Sequence, residues 1–181
     1  MKKHALTTLL CLSVAGTASA AHVDDDMALA LAAPRERIVD HSLSTSAVRA
    51  RVEPATAFYG FWNNGSQALL DRAISPGFVD HTLPPGRPQG PSGPAAASKA
   101  FLAAVPDLKV TVTQQLVVGD RVVSHLDMAG HFTGTFQERQ GHGETIHFFA
   151  TDIVKVTNGR ITDNWHLEDN LTLLKQLGVY R

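Results

Sequence analysis

Residues 145–169 read TIHFFATDIVKVTNGRITDNWHLED, two runs of β-branched, aromatic and polar residues meeting at Asn158-Gly159. Asn-Gly between such runs is a strong two-residue hairpin signal, because both central positions of that turn need positive φ. In the first run Ile146, Phe148, Ala150, Asp152, Val154 and Val156 share one face. In the second, strict alternation puts Ile161, Asp163, Trp165, Leu167 and Asp169 on one face and Thr162, Asn164, His166 and Glu168 on the other. The apolar sets are expected inward, and they carry Asp152 and Asp169 with them.

The same pattern extends upstream. Leu108–Val118 alternates, Gly119-Asp120 turns, and Arg121–Thr133 returns, followed by a polar loop over Thr135–Glu144. Before the strands the period is helical. Val48, Val52, Ala55, Tyr59 and Trp62 recur at spacings of four and three, with Pro54 either kinking the helix or starting it. Asn63-Asn64-Gly65 stops that helix and Ser66 caps a short second one. Phe78-Val79-Asp80-His81 reads as extended. Thr82–Pro94 is a proline- and glycine-rich loop, a third helix covers Ala95–Val105, and a last one covers Asn170–Gly178. Helices followed by an antiparallel meander make an α+β domain. A curved sheet wrapped on the N-terminal helices leaves an open cone whose mouth suits a small-molecule pocket.

The ends carry different information. Met1-Lys2-Lys3-His4 is a short basic start, Ala5–Ala18 is apolar, and Ala18-Ser19-Ala20 offers small residues to a signal peptidase. The run is too short to span a bilayer, so a cleaved signal peptide over residues 1–20 is expected, with the cut before Ala21. The mature chain is then periplasmic or secreted. Its only cysteine, Cys11, leaves with the leader, so neither a disulfide nor a thiolate metal site is available. Residues 21–46, with Asp24-Asp25-Asp26, are expected as a loose N-terminal arm before a domain over 47–181. The 181 residues hold 16 Lys and Arg against 17 Asp and Glu, with no basic stripe. Nucleic acid and anionic membrane are poor partners for such a surface, and no second apolar stretch is long enough to be an integral segment.

Several short stretches together resemble a known family. These are Phe58-Tyr59, Phe78-Val79-Asp80-His81, Pro106–Val110, Gly119–Val123, Thr151-Asp152-Ile153, Asn158–Ile161, Trp165 with Asp169, and the closing Leu174-Lys175-Gln176-Leu177-Gly178. In order and spacing they are similar to the SnoaL-like polyketide cyclases, and the ending to the branch called ester cyclases. The resemblance implies the nuclear-transport-factor-2-like cone fold and intramolecular aldol cyclisation of a polyketide ester without metal or cofactor. It also implies a carboxylate acid/base in the last strand, at the position of Asp169. Where the family often shows Gly-Thr-His-Thr-Gly, this chain reads Gly130-His131-Phe132-Thr133-Gly134. The export signal also points away from a product made in the cytoplasm.

The candidate catalytic residues are therefore Asp169, Asp152 and His81. Two inward carboxylates in apolar surroundings raise each other's proton affinity, so one can stay protonated while the other acts as base. His81, at the rim, could polarise a carbonyl or relay a proton. Tyr59, Trp62, Phe132 and Trp165 are expected to wall the pocket, Tyr59 offering its hydroxyl. The expected partner is a small, largely apolar carbonyl or ester compound, turned over by a cofactor-free lyase, isomerase or cyclase. The alternative is a non-catalytic periplasmic binding module for such a ligand. A homodimer through the open sheet face, where Phe149 and Ile153 lie, is a third expectation. No metal is expected: His125, Asp127 and His131 share a face, but the outer two are roughly 20 Å apart along one strand.

Overall fold

The computed structural model describes residues 23–180, so the expected leader and its cleavage point lie outside the described residues. In chain order it has helix α1 (Asp25–Leu31), strand β1 (Glu36–Val39), helices α2 (Thr45–Asn64) and α3 (Gln67–Ala73), strand β2 (Ile74–Asp80) and helix α4 (Ser92–Ala104). Strands β3 (Lys109–Val118) and β4 (Arg121–Phe132), the small hairpin β5 (Thr135–Phe136) and β6 (Arg139–Gln140), strands β7 (Glu144–Thr157) and β8 (Arg160–Glu168) and helix α5 (Asn170–Gln176) follow. The main sheet has the order β1-β3-β4-β7-β8-β2. Its central strands are antiparallel, and the outermost, β1 and β2, lie parallel to β3 and β8. The sheet is curved and unclosed, the cone architecture expected of this α+β chain.

Helix α2 fills the concave side. Ser44 caps it through Ala47 N, and it runs unbroken through Pro54, forgoing only the bond that a proline cannot donate. Phe58, Tyr59 and Phe61 are fully buried against β-branched residues such as Val112, Val122 and Ile146. The far end of α2 is fixed by Asn63, whose side-chain amide pairs with the β3 backbone as a neighbouring strand would. Its Nδ2 donates to Val110 O at 3.0 Å, and its Oδ1 accepts from Val110 N at 2.7 Å. Both polar atoms of this buried amide are thereby satisfied.

The segment expected as a loose arm is folded onto the domain from Val23 onward. Asp24 caps α1, and the first-turn acids that would repel in an extended arm instead face a helix N-terminus. Ala28 and Ala32 are completely buried on α2, and β1 extends the sheet beside β3.

Strands β7 and β8 join as read. Asn158 and Gly159 have φ of 52° and 73°. Along β7 the alternation is strict, and Ile146, Phe148, Ala150, Asp152, Val154 and Val156 are all buried. Along β8 it breaks. Val156 pairs with Ile161 but the adjacent Lys155 pairs with Asp163, which leaves Thr162 as an extra, bulged residue. One inserted residue reverses every later side chain. Asn164, His166 and Glu168 therefore face inward, while Trp165 and Leu167 face out, Leu167 being 77% exposed. The inward placement expected for Trp165, Leu167 and Asp169 is corrected accordingly. The outer face gives Asp163 partners it would lack in the core. Its carboxylate accepts from His81 Nε2 at 2.8 Å and from the Thr162 hydroxyl at 2.8 Å. Trp165 stacks on the His81 ring at 4.3 Å and lies under the Arg121 guanidinium at 5.4 Å. The same outer surface bears Phe149 and Ile153, both partly exposed.

Candidate active site

A cavity of about 590 Å³ opens between the helices and the concave face. That size is ordinary for a site that takes a small molecule. Most of its wall is apolar: Phe58 and Trp62 from α2, Phe78 from β2, Phe101 from α4, Met128 from β4 and Phe148 from β7. Its polar wall is concentrated on one side, in Asp80, Asp152, Asn164, His166 and Glu168.

Register builds that polar wall. Asp152 of β7 stands directly opposite His166 of β8 on one side and Ser124 of β4 on the other. Ser124 in turn stands opposite Gln115 of β3, so one polar residue per strand forms a row across an otherwise apolar face. Gln115 and Ser124 are fully buried and joined by a 3.3 Å hydrogen bond. Asn164 pairs with Asp80 at the β2 edge.

His166 is the centre of the cluster. Its Nδ1 lies 2.7 Å from Glu168 Oε1 and its Nε2 lies 3.0 Å from Asp80 Oδ2. Its side chain is only 7% exposed. Burial alone would lower its pKa, but the hydrogen bonds and charges of Glu168 and Asp80 outweigh that and raise it to about 9. The ring is thus an imidazolium at neutral pH, both nitrogens donating. Burial also favours the acid form of Glu168, yet the His166 contact wins and holds its carboxyl below the usual range. Asp152 is different. Burial raises it, the positive His166 lowers it, and Glu168 and Asp80 raise it again, leaving a pKa of about 7. It makes no side-chain hydrogen bond among the described residues and borders the cavity, so its proton is free to move to or from a ligand.

The sequence-derived candidates divide sharply. Asp152 and Trp62 line the cavity. Asp169 does not: it is the N-cap of α5, its carboxylate accepting from Thr172 N at 3.1 Å and from the Thr172 hydroxyl at 2.7 Å. These two bonds hold its pKa below the ordinary value. His81 and Trp165 lie on the outer side of β8, stacked on each other. Phe132 is fully buried packing rather than wall. Tyr59 is also fully buried, its hydroxyl beside Ser124 and the Asp152 carboxyl, and burial pushes its pKa well up. Asp80, Asn164, His166 and Glu168 were not read from the sequence. The signal was present: they are the polar members of two strands that meet beside Asp152. Only the bulge at Thr162 turns three of them inward.

A family model, SnoaL-like polyketide cyclase, matches residues 53–177, from mid-α2 to the end of the chain's last helix. The chain belongs to the SnoaL-like polyketide cyclase family. A protein of Bacillus cereus ATCC 10987 assigned as a polyketide cyclase has a solved structure that is 39% identical. The match covers 83% of this chain and 95% of that one, with a TM-score of 0.76. IdmH of Streptomyces antibioticus, assigned likewise, is 26% identical over 71% of this SnoaL-like chain and 98% of its own, with a TM-score of 0.63. A Catenulispora acidiphila DSM 44928 protein with a ketosteroid isomerase-like fold shares 19% identity, 70% of this chain and 92% of its own at a TM-score of 0.55, a likeness of fold. None of the curated proteins matches the chain.

Proposed function

We propose that this SnoaL-like protein is an exported acid/base catalyst that moves protons on a small, largely apolar carbonyl or ester compound, in a cyclisation, isomerisation or lyase step. The observation that carries this reading is the pair formed by Asp152 and His166 on one cavity wall. A carboxyl with a pKa of about 7 faces a histidine with a pKa of about 9 across two adjacent strands.

The chemistry follows from that pairing. In its ionised form Asp152 takes a proton from the carbon next to the carbonyl. A base is most effective when its pKa lies near the working pH, and burial has brought this carboxyl there. Negative charge then grows on the carbonyl oxygen. The charged His166 ring, its two N–H groups held by Glu168 and Asp80, supplies positive charge near that oxygen. Asp152, now protonated, returns the proton to the product. Glu168 and Asp80 keep His166 charged and fix its ring plane, so they position the site rather than react. These proton transfers require nothing beyond the side chains themselves. The leader read at the N-terminus supports a place outside the cytoplasm and a substrate other than the family's intracellular polyketides.

The test is hydrogen–deuterium exchange at the carbon next to the carbonyl in a panel of small apolar 3-oxo esters, followed by NMR. The wild-type chain should accelerate exchange, and Asp152→Asn should slow it about 10²–10⁴-fold, the usual contribution of a positioned base. Exchange that survives Asp152→Asn would sink the assignment. Ligands that bind and return unexchanged would favour a carrier.

A further inference from the structure

One cation borders the cavity without a partner among the described residues. Arg87 lines the cavity, but its side chain makes no hydrogen bond or ion pair among the described residues, whereas Arg37, Arg51, Arg121 and Arg160 all donate to oxygens of their own chain. It is half-buried and lies close enough to Glu168 to help lower that carboxyl's pKa.

The loop that carries Arg87 is built to hold it still. Pro84-Pro85-Gly86-Arg87 forms a tight turn, with Arg87 N donating to Pro84 O at 3.1 Å and Gly86 at φ 82°. Proline before a positive-φ glycine is the signature of a type II turn, whose geometry the proline pre-sets. Two residues later Gln89 clamps the loop to β2. Its Nε2 donates to Asp80 O at 2.9 Å and its Oε1 accepts from Asp80 N at 2.7 Å. At the other end the Asp80 carboxylate accepts from Thr82 N at 2.9 Å, and the Thr82 hydroxyl accepts from His166 N at 2.9 Å. The loop is therefore stitched to the same Asp80 and His166 that form the polar wall. Two further hydrogen-bonding side chains share the cavity lining, Gln137 from the β5–β6 turn and Asn170 at the start of α5.

A planar guanidinium bordering an apolar cavity matches one ligand group best, a carboxylate, which it can engage through two parallel hydrogen bonds. Because the loop backbone is already ordered, only the side chain has to be fixed on engagement. We propose that Arg87 reads a carboxylate of the ligand, so that the substrate is an apolar acid whose reacting carbonyl lies by Asp152 and His166. This rests on the cavity reading above and adds a carboxylate to the small, largely apolar carbonyl compound proposed there.

The full chain is titrated by calorimetry with naphthylacetate and with the neutral, nearly isosteric naphthylacetamide. The acid should bind more tightly by about tenfold, as expected for one charge-assisted contact. Arg87→Gln should remove that preference, the two compounds then binding alike, and Met128→Trp, which narrows the cavity, should weaken both. Equal binding of the two by the wild-type chain, or a preference that persists in Arg87→Gln, overturns the proposal. Binding insensitive to Met128→Trp puts the compounds outside the cavity and overturns it too. Neither result bears on the Asp152-dependent exchange, so the acid/base reading stands or falls separately.

Discussion

Strands β7 and β8 are neighbours joined by a two-residue turn, yet they present their polar residues to the cavity by different rules. In β7 every second residue is buried from Ile146 to Val156, and Asp152 sits inside because its parity says so. In β8 the parity of Ile161 holds for one residue only. After Thr162 the inward positions belong to Asn164, His166 and Glu168. The contrast shows that a strand's sequence period predicts which side chains travel together, but not which side they travel on once a bulge intervenes.

The most drastic way to break the contrast is to insert one alanine between Asp163 and Asn164. Paired opposite Val154 in place of Asn164, it would send His166 and Glu168 outward and Trp165 and Leu167 into the cavity. Carbonyl-adjacent exchange should fall at least as far as in Asp152→Asn, and tryptophan fluorescence should shift to the blue. An insertion variant with native circular dichroism and full exchange would show that the register after the bulge does not orient the site.

A smaller effect sharpens the β7 side. The folded pKa of Asp152 is raised from 3.8 to about 7 by burial. The folded protein therefore holds this proton more tightly than the unfolded chain. The associated stability is fully present below about pH 4 and is lost as pH rises towards 7. Asp152→Asn removes that loss, so its stability relative to wild type should climb between pH 4 and 7 and then level off. Urea unfolding at a series of pH values measures this, and a difference that is flat across the window would contradict the burial of the carboxyl.

The smallest effect belongs to Asp169, at the end of β8. As a helix cap, Asp169→Ala should lower Tm by about 2–4 °C and leave exchange intact. Loss of exchange without loss of stability would return this residue to the chemistry that the family resemblance implied.

Much of the architecture was legible because it depends on local signals. The Asn158-Gly159 turn, the Ser66 cap, the helical face of Tyr59 and Trp62 and the burial of Asp152 each follow from a few adjacent residues. The segment from Val23 to Val39 carries little local signal of packing because its burial is supplied by partners far along the chain, α2 for Ala28 and β3 for β1. The site was half legible for a similar reason. Asp163 and Trp165 look like members of an inward set by spacing, and His81 like a rim residue. They instead form their own outer cluster with Arg121, in which the carboxylate finds donors that the core would not supply.

By itself the amino-acid sequence determined the order of the long helices and strands from α2 onward, the hairpin at Asn158-Gly159, the family and the inward carboxylate of Asp152. These rest on period, on turn chemistry and on residues close together in the chain. Tertiary structure decided which face of β8 meets the cavity, and with it the replacement of Asp169 by His166 as the partner of Asp152. A one-residue bulge leaves the sequence pattern unchanged but reverses its direction in space. Only pairing with β7 and β2 determines where that bulge falls.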